Sequence, residues 1–228
     1  MKFDRYELFA RIFPSAICSL PYYFFYHFFI NTEFSEFVRS TFEIKFAAGI
    51  TMFIALLFFF YQLSRLLGKM LETFYFQGEK NIPTTEFLLY GNEEYSLSYK
   101  EKIRRKIKKD FGTKLMDQKE EVKKMAEAKK LIIESVRQIR HKVKSGRLVL
   151  NRNIEYGFFR NLIAGGFISL PASIYGVYFF TQNYPSSLAV QVEAFFAIML
   201  SAFILSSFHL LKFLGKNYAN ALFQEYLN

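Results

Sequence analysis

Apolar residues in this chain gather into four blocks, 12–30, 46–64, 161–180 and 188–211, separated by segments in which polar residues dominate. Each block is long enough for the roughly 20 residues a helix needs to cross a bilayer. The pattern predicts an all-α membrane protein with four transmembrane helices. Lys2, Arg5 and Arg11 precede the first block, as in a secretory signal. That reading is set aside because the apolar run is long, no small-x-small cleavage site follows it, and a later block resembles it.

Between the second and third blocks lies a polar segment with the amphipathic spacing of water-exposed helices. Ser98-x-x-Glu101 has the form of a capping box and predicts a helix through about Asp110, with Ile103 and Ile107 as its only aliphatic residues. Asp117-x-x-Glu120 predicts a second, longer helix to about Lys144. Val122, Met125, Ile132, Val136, Ile139 and Val143 recur on it at three- and four-residue steps, a stripe that can be buried. Phe87–Tyr90 reads as a short apolar anchor within a loop bounded by Pro83 and Gly91.

The order of motifs suggests a repeat. "LGKMLETFYFQ" begins at Leu67 and "LGKNYANALFQ" at Leu214, with Leu-Gly-Lys and Phe-Gln at the same spacing; "SLP" at Ser19 returns at Ser169. Each half therefore reads as an arginine (Arg11, Arg160), a span with an internal proline (Pro21, Pro171), a short outer loop, a second span and a Leu-Gly-Lys exit. Chance similarity between two hydrophobic hairpins is the competing account. A true duplication, separated by an even number of crossings, is a parallel repeat, in which Gly68 and Gly215 hold equivalent positions. The chain then divides into a first hairpin with its exit helix (1–77), a basic helical cytoplasmic domain (78–156) and a second hairpin with its exit (157–228).

Charge orients this arrangement. The chain carries a formal charge of +10, and its segment from 70 to 157 holds 20 Lys/Arg against 13 Asp/Glu. Lys/Arg excess beside spans stays in the cytoplasm, which places both termini and the central segment there. Glu33, Glu36 and Glu43 lie in the loop assigned to the outside. Arg160 and Asn161 read as interface anchors, and Ala197 and Ser201 as small residues admitting close helix packing.

Candidate chemistry is that of binding. The lone Cys18 sits within a span and excludes a multi-thiolate zinc site. No Walker loop, HExxH or GxSxG occurs, and Asp110-Phe111-Gly112 reads as a helix end and turn, so neither an enzyme nor a cofactor is expected. Arg104, Arg105, Lys108 and Lys109 on the first polar helix, with Arg137, Arg140 and Lys144 on the second, concentrate positive charge suited to an anionic ligand. A solvated face, contact with anionic lipid and helix-dipole compensation are the alternatives. Tyr95 or Tyr99 could stack on a base, packing being the simpler role. Glu193, the one acid well inside an apolar block, is a pore candidate with Gln191 and Ser201, or a side chain reaching interfacial water.

Two functions fit: a gated channel, requiring a homo-oligomer because four spans rarely enclose an aqueous path and for which a tetramer is expected, or a non-conducting adaptor that recruits a protein or nucleic acid. Spans flanking a basic cytoplasmic domain resemble the transmembrane effectors of bacterial anti-phage defence, those of Hailong-type systems in particular. That resemblance implies a tetrameric channel in the bacterial inner membrane, a single-stranded DNA oligomer as ligand, a nucleotidyltransferase partner that makes it, and depolarisation on its release.

Overall fold

The computed structural model describes residues 4–25, 45–185 and 187–228, and every regular element among them is helical. A short turn, Arg5–Glu7, and a π-helical turn, Leu8–Ile12, lead into α1 (Phe13–Phe25). There follow α2 (Lys45–Phe76), α3 (Pro83–Glu86), α4 (Leu97–Phe111), α5 (Gln118–Lys123), α6 (Met125–Lys142), α7 (Arg147–Asn183), α8 (Leu188–Leu205) and α9 (Ser207–Leu227). Three segments among the described residues, Phe53–Phe76, Arg147–Asn183 and Leu188–Leu205, lie in helices long and apolar enough to cross a membrane. The outer end of the first apolar block, the acidic loop after it and His27 lie outside the described residues.

The chain forms two compact units. The first comprises Met1–Met70 with Gly157–Ser207, the second Leu71–Tyr156 with Phe208–Asn228.

In the first unit, α7 carries Gly157, Asn161, Gly165, Ser169 and Ser173 at strict four-residue spacing, all buried. Such spacing lines one helix face with small side chains, letting a neighbouring backbone approach. α1 and the turns before it fill that face. A Cβ on Gly157 would meet that of Ala10 at 2.9 Å, and one on Gly165 the Cys18 sulfur at 2.7 Å. Asn161 Nδ2 donates to the Ala10 carbonyl (2.6 Å) and Ser169 Oγ to the Cys18 carbonyl (2.6 Å). Eight residues forward on one helix thus match eight forward on the other: the two run parallel, 151 positions apart, close to the offset between the SLP copies. Asn161 is accordingly an interhelical donor, not an interface anchor.

α2 and α8 run the other way. Arg11 reaches Tyr61 and Tyr23 packs on Phe53, while a Cβ on Gly68 would meet Asn161. On α8, Phe203 packs on Phe159, and Leu200 and Ile204 lie against Gly166. The outward residues of this unit are large and apolar: Phe58 is 63% exposed, Ile198 72% and Leu205 85%.

The second unit has an ordinary aliphatic and aromatic core. Phe87, Leu88 and Leu89, the expected anchor, pack with Ile103, Ile107, Ile132, Val136, Ile139 and Val149 around Ala219, Leu222, Phe223 and Tyr226 of α9. The exit after the second Leu-Gly-Lys therefore supplies the centre of this unit. α8 ends at Ser206, with its hydroxyl bonded back to the Ala202 carbonyl, and α9 starts anew. α2 passes its own Leu-Gly-Lys unbroken. Gly68 belongs to the first unit and packs against Arg160 and Asn161, whereas Gly215 belongs to the second and packs against Pro83 and Tyr156. Their surroundings are not equivalent.

Two local expectations shift. The first polar helix is capped by Ser96, whose side chain accepts from the Tyr99 amide, instead of by Ser98. It ends at Gly112 in the left-handed region (φ 72°), as only a residue without Cβ does comfortably. The Asp117/Glu120 capping box forms as expected, but Lys124 leaves helical geometry and divides the second helix into α5 and α6. Val122 (74% exposed) and Met125 (41%) then fall outside the core, which takes Ala128 instead.

Candidate anion-binding site

α4 presents three stripes because its cations go to different places. Ile103 and Ile107 enter the core; on their flank, Lys100 and Arg104 turn inward to the loop at 88–92. Lys100 Nζ donates to the carbonyls of Leu89 (2.7 Å), Tyr90 and Asn92. Burial pushes its ammonium below the ordinary lysine value, opposed by the charge of Glu121. Arg104 is more fully bound. Its Nε and Nη2 donate to the Leu88 carbonyl, Nη1 to that of Met116 (2.6 Å), and Nη2 pairs with Glu121 Oε2 (2.8 Å). Glu121 is buried as well, and its other oxygen accepts from the Tyr90 amide at 2.6 Å. The Arg104 guanidinium lies over the Tyr90 ring, 4.0 Å from its centroid. This cluster fixes both backbone and ring of Tyr90.

On the outer side of Tyr90 is a cleft of about 200 Å³, lined by Tyr90, Glu101, Arg105, Lys108 and Lys114, with Arg104 and Leu115 completing its wall. Glu101, Arg105 and Lys108 fall on one stripe of α4 at i, i+4 and i+7. Lys114 arrives from the turn that Gly112 opens. Arg105 is exposed and lines the cleft, and its Nε donates to the Glu101 carbonyl (3.4 Å). Lys108 and Lys114 are exposed. Three cations thus converge from two segments beside a fixed aromatic ring, a composition suited to an anion carrying a flat or apolar group.

The residues expected to bind an anion are divided by this geometry. Arg104, Arg105 and Lys108 meet at the cleft, Arg104 as a wall with its donors engaged. Lys109 is exposed on the next position of α4, outside the lining. Arg137 and Arg140 are paired with Glu79 at 2.6 and 3.3 Å, and Arg140 also reaches Thr84 Oγ1. Lys144 is exposed beyond the end of α6. Tyr95 packs against Phe87, Tyr99 and Phe223 and donates to Asn220 Oδ1 at 2.7 Å, so its ring is occupied by the core.

The pore candidates do not share a face. Gln191 is exposed, Ser201 half-buried and Glu193 fully buried. Among the described residues, neither the Glu193 carboxylate oxygens nor the Ser173 hydroxyl meets a hydrogen-bond partner at bonding geometry.

Sequence reasoning missed Tyr90, Glu101, Lys114 and Glu121. A signal existed for Arg104, since position 104 lies about 60° from Ile107 around the helix, on the edge of the buried stripe. Glu121 carried none, being one of several acids on a mixed-charge turn. Comparison with family models, curated proteins and solved structures finds no match to this chain.

Proposed function

We propose that the chain is an oligomeric membrane channel gated by a phosphate-bearing anion bound to its basic cytoplasmic unit. The observation that carries this reading is the convergence of Arg105, Lys108 and Lys114 beside the immobilised Tyr90. Like charges so close destabilise a helix surface unless an anion compensates them. In this reading the first unit lies in the bilayer as four spans, α1 with its continuation being the fourth. Its greasy exterior and its small, polar interior support that placement. α2 and α7 each supply turns to both units without a helical break, which gives ligand binding a means of acting on the spans. An oligonucleotide, as the resemblance to defence effectors implies, is one ligand of this chemistry.

The non-conducting adaptor has an observation in its favour too. Asn161, Ser169, Ser173 and Glu193 are buried within one chain, leaving Gln191 as the exposed pore candidate. Ion flux through liposomes containing the full-length protein separates the two. A channel gives flux that changes when a labelled oligothymidylate is added, and Arg105→Glu with Lys108→Glu removes the change. Log affinity should fall with log salt by about 0.7 per neutralised phosphate. Unchanged, background-level flux with oligothymidylate bound assigns the adaptor. Binding to anionic vesicles alone sinks the ligand-gated reading.

A further inference from the structure

We propose that the Tyr90 cleft accepts a mononucleotide unit, its phosphate at the Lys108 and Lys114 end, its ring against Tyr90 and its sugar or base donors toward Glu101. This rests on the anion-binding reading above and makes it specific.

Size favours such a ligand. A cleft of about 200 Å³, open at its mouth, takes in about a phosphate with one attached ring, so the rest of a nucleotide stays at the mouth. Polarity favours it too. From Glu101 to Lys108 is seven residues of helix, about 10 Å at 1.5 Å per residue. Along that length the helix contributes a carboxylate, then Arg105, then Lys108, and the segment after Gly112 adds Lys114 to the lining. A uniform chain of phosphates would place one of its charges against Glu101, where like charges repel. A molecule with an anion at one end and hydroxyl or amine donors at the other suits both ends.

The ring points the same way. Tyr90 is held by its amide to Glu121, by its carbonyl to Lys100, and on one ring face by Arg104, whose three donor nitrogens are all engaged. An aromatic side chain immobilised by so many buried polar groups is pre-organised for stacking, which lowers the ordering cost of binding. Leu115, itself in the core, adds an apolar surface beside it.

The test uses the full-length protein in detergent, with adenosine 5′-monophosphate, ribose 5-phosphate and oligothymidylate as probes. Adenosine monophosphate is expected to bind roughly tenfold more tightly than ribose 5-phosphate, within the range set by base–aromatic stacking. Tyr90→Leu removes that advantage and leaves ribose 5-phosphate unchanged. Tyr90→Phe keeps the ring and binds like the parent, which separates lost stacking from lost fold. Lys114→Gln weakens both monophosphates, and Glu101→Gln reduces their preference over pyrophosphate. Equal affinity for both monophosphates, or no binding of either, overturns the proposal. If oligothymidylate still binds in that case, the broader anion-binding reading survives; if it too fails to bind, that reading falls with this one.

Discussion

The two units handle buried polarity in opposite ways. In the second, buried charge is fully partnered: Lys100 donates to three backbone carbonyls, and Arg104 and Glu121, 8% and 2% exposed, meet at 2.8 Å beside an aliphatic and aromatic core. In the first, the hydrogen-bonded buried groups are neutral, with Asn161 and Ser169 donating to backbone carbonyls of the π-helical turn and of α1. The outsides differ accordingly, charged in one and phenylalanine-rich in the other. Where the surroundings are hydrocarbon, apolar burial gives helices no preference for one another, and close packing with short side-chain bonds must hold them. Where they are water, an aliphatic core suffices and a paired charge inside it fixes one loop.

Breaking the charged pair should give the largest effect. Glu121→Ala strands the Arg104 guanidinium in the core and releases the Tyr90 amide, at an expected cost of about 3–5 kcal/mol. The denaturation midpoint of the full-length protein, followed through a probe in the second unit, measures this. A loss below about 1 kcal/mol would show that water reaches Arg104 and that the core is not dry. The first unit should fail next, through crowding. Gly165→Leu must place a side chain where Cys18 Sγ and Ser64 Oγ stand 2.7 Å from the missing Cβ, an overpacking expected to cost about 1–3 kcal/mol. Gly91→Ala, with nothing within 4 Å of its added Cβ, is the matching control in the second unit and should be silent.

A smaller step probes the neutral hydrogen bonds. Ser169 Oγ is 2.6 Å from the Cys18 carbonyl and 3.1 Å from that of Gly165. Interhelical bonds in membranes average about 0.6 kcal/mol, so Ser169→Ala should lower the unfolding midpoint slightly. A cost matching that of Glu121→Ala would erase the contrast between the units.

How much of this was legible in the sequence follows the same physics. Elements set by local chemistry were readable: three of the apolar blocks, the Asp117/Glu120 cap, the stop at Gly112 and the Phe87–Tyr90 anchor. Elements set by partners far along the chain were not. Gly157, Asn161, Gly165, Ser169 and Ser173 share one face of α7, yet small residues fit a lipid-facing helix as readily as a packed one until α1 is seen against them. The cations of α4 look alike in sequence, and only the carbonyls of the 88–92 loop distinguish Lys100 and Arg104 from Arg105 and Lys108. Tyr90 reads as anchor by its neighbours, and Lys114 as a lone charge in a turn. The Leu-Gly-Lys copies show the limit most sharply, since the two fall in different units, the second after a helix break at Ser206 that the first lacks.

The smallest expected change in stability is also the one that locates the anion surface. Glu79 holds the exposed Arg137 at 2.6 Å and the half-buried Arg140 at 3.3 Å, and pairs that reach solvent contribute about 0–1 kcal/mol and fade with salt. Glu79→Gln should therefore leave the unfolding midpoint nearly unchanged while removing the negative charge beside two guanidinium groups of α6, of which Arg140 keeps its bond to Thr84 Oγ1. If the cleft beside Tyr90 is where a phosphate-bearing ligand sits, oligothymidylate affinity at moderate salt should rise only slightly in Glu79→Gln and fall clearly in Lys114→Gln. If α6 is the true binding surface, the order reverses: removing that charge raises affinity strongly and steepens the salt dependence, and Lys114→Gln has no effect. Measuring both variants across a salt series distinguishes a built cleft from a surface that attracts anions by charge alone, because the slope shifts by about 0.7 for every phosphate that a variant newly neutralises or ceases to neutralise.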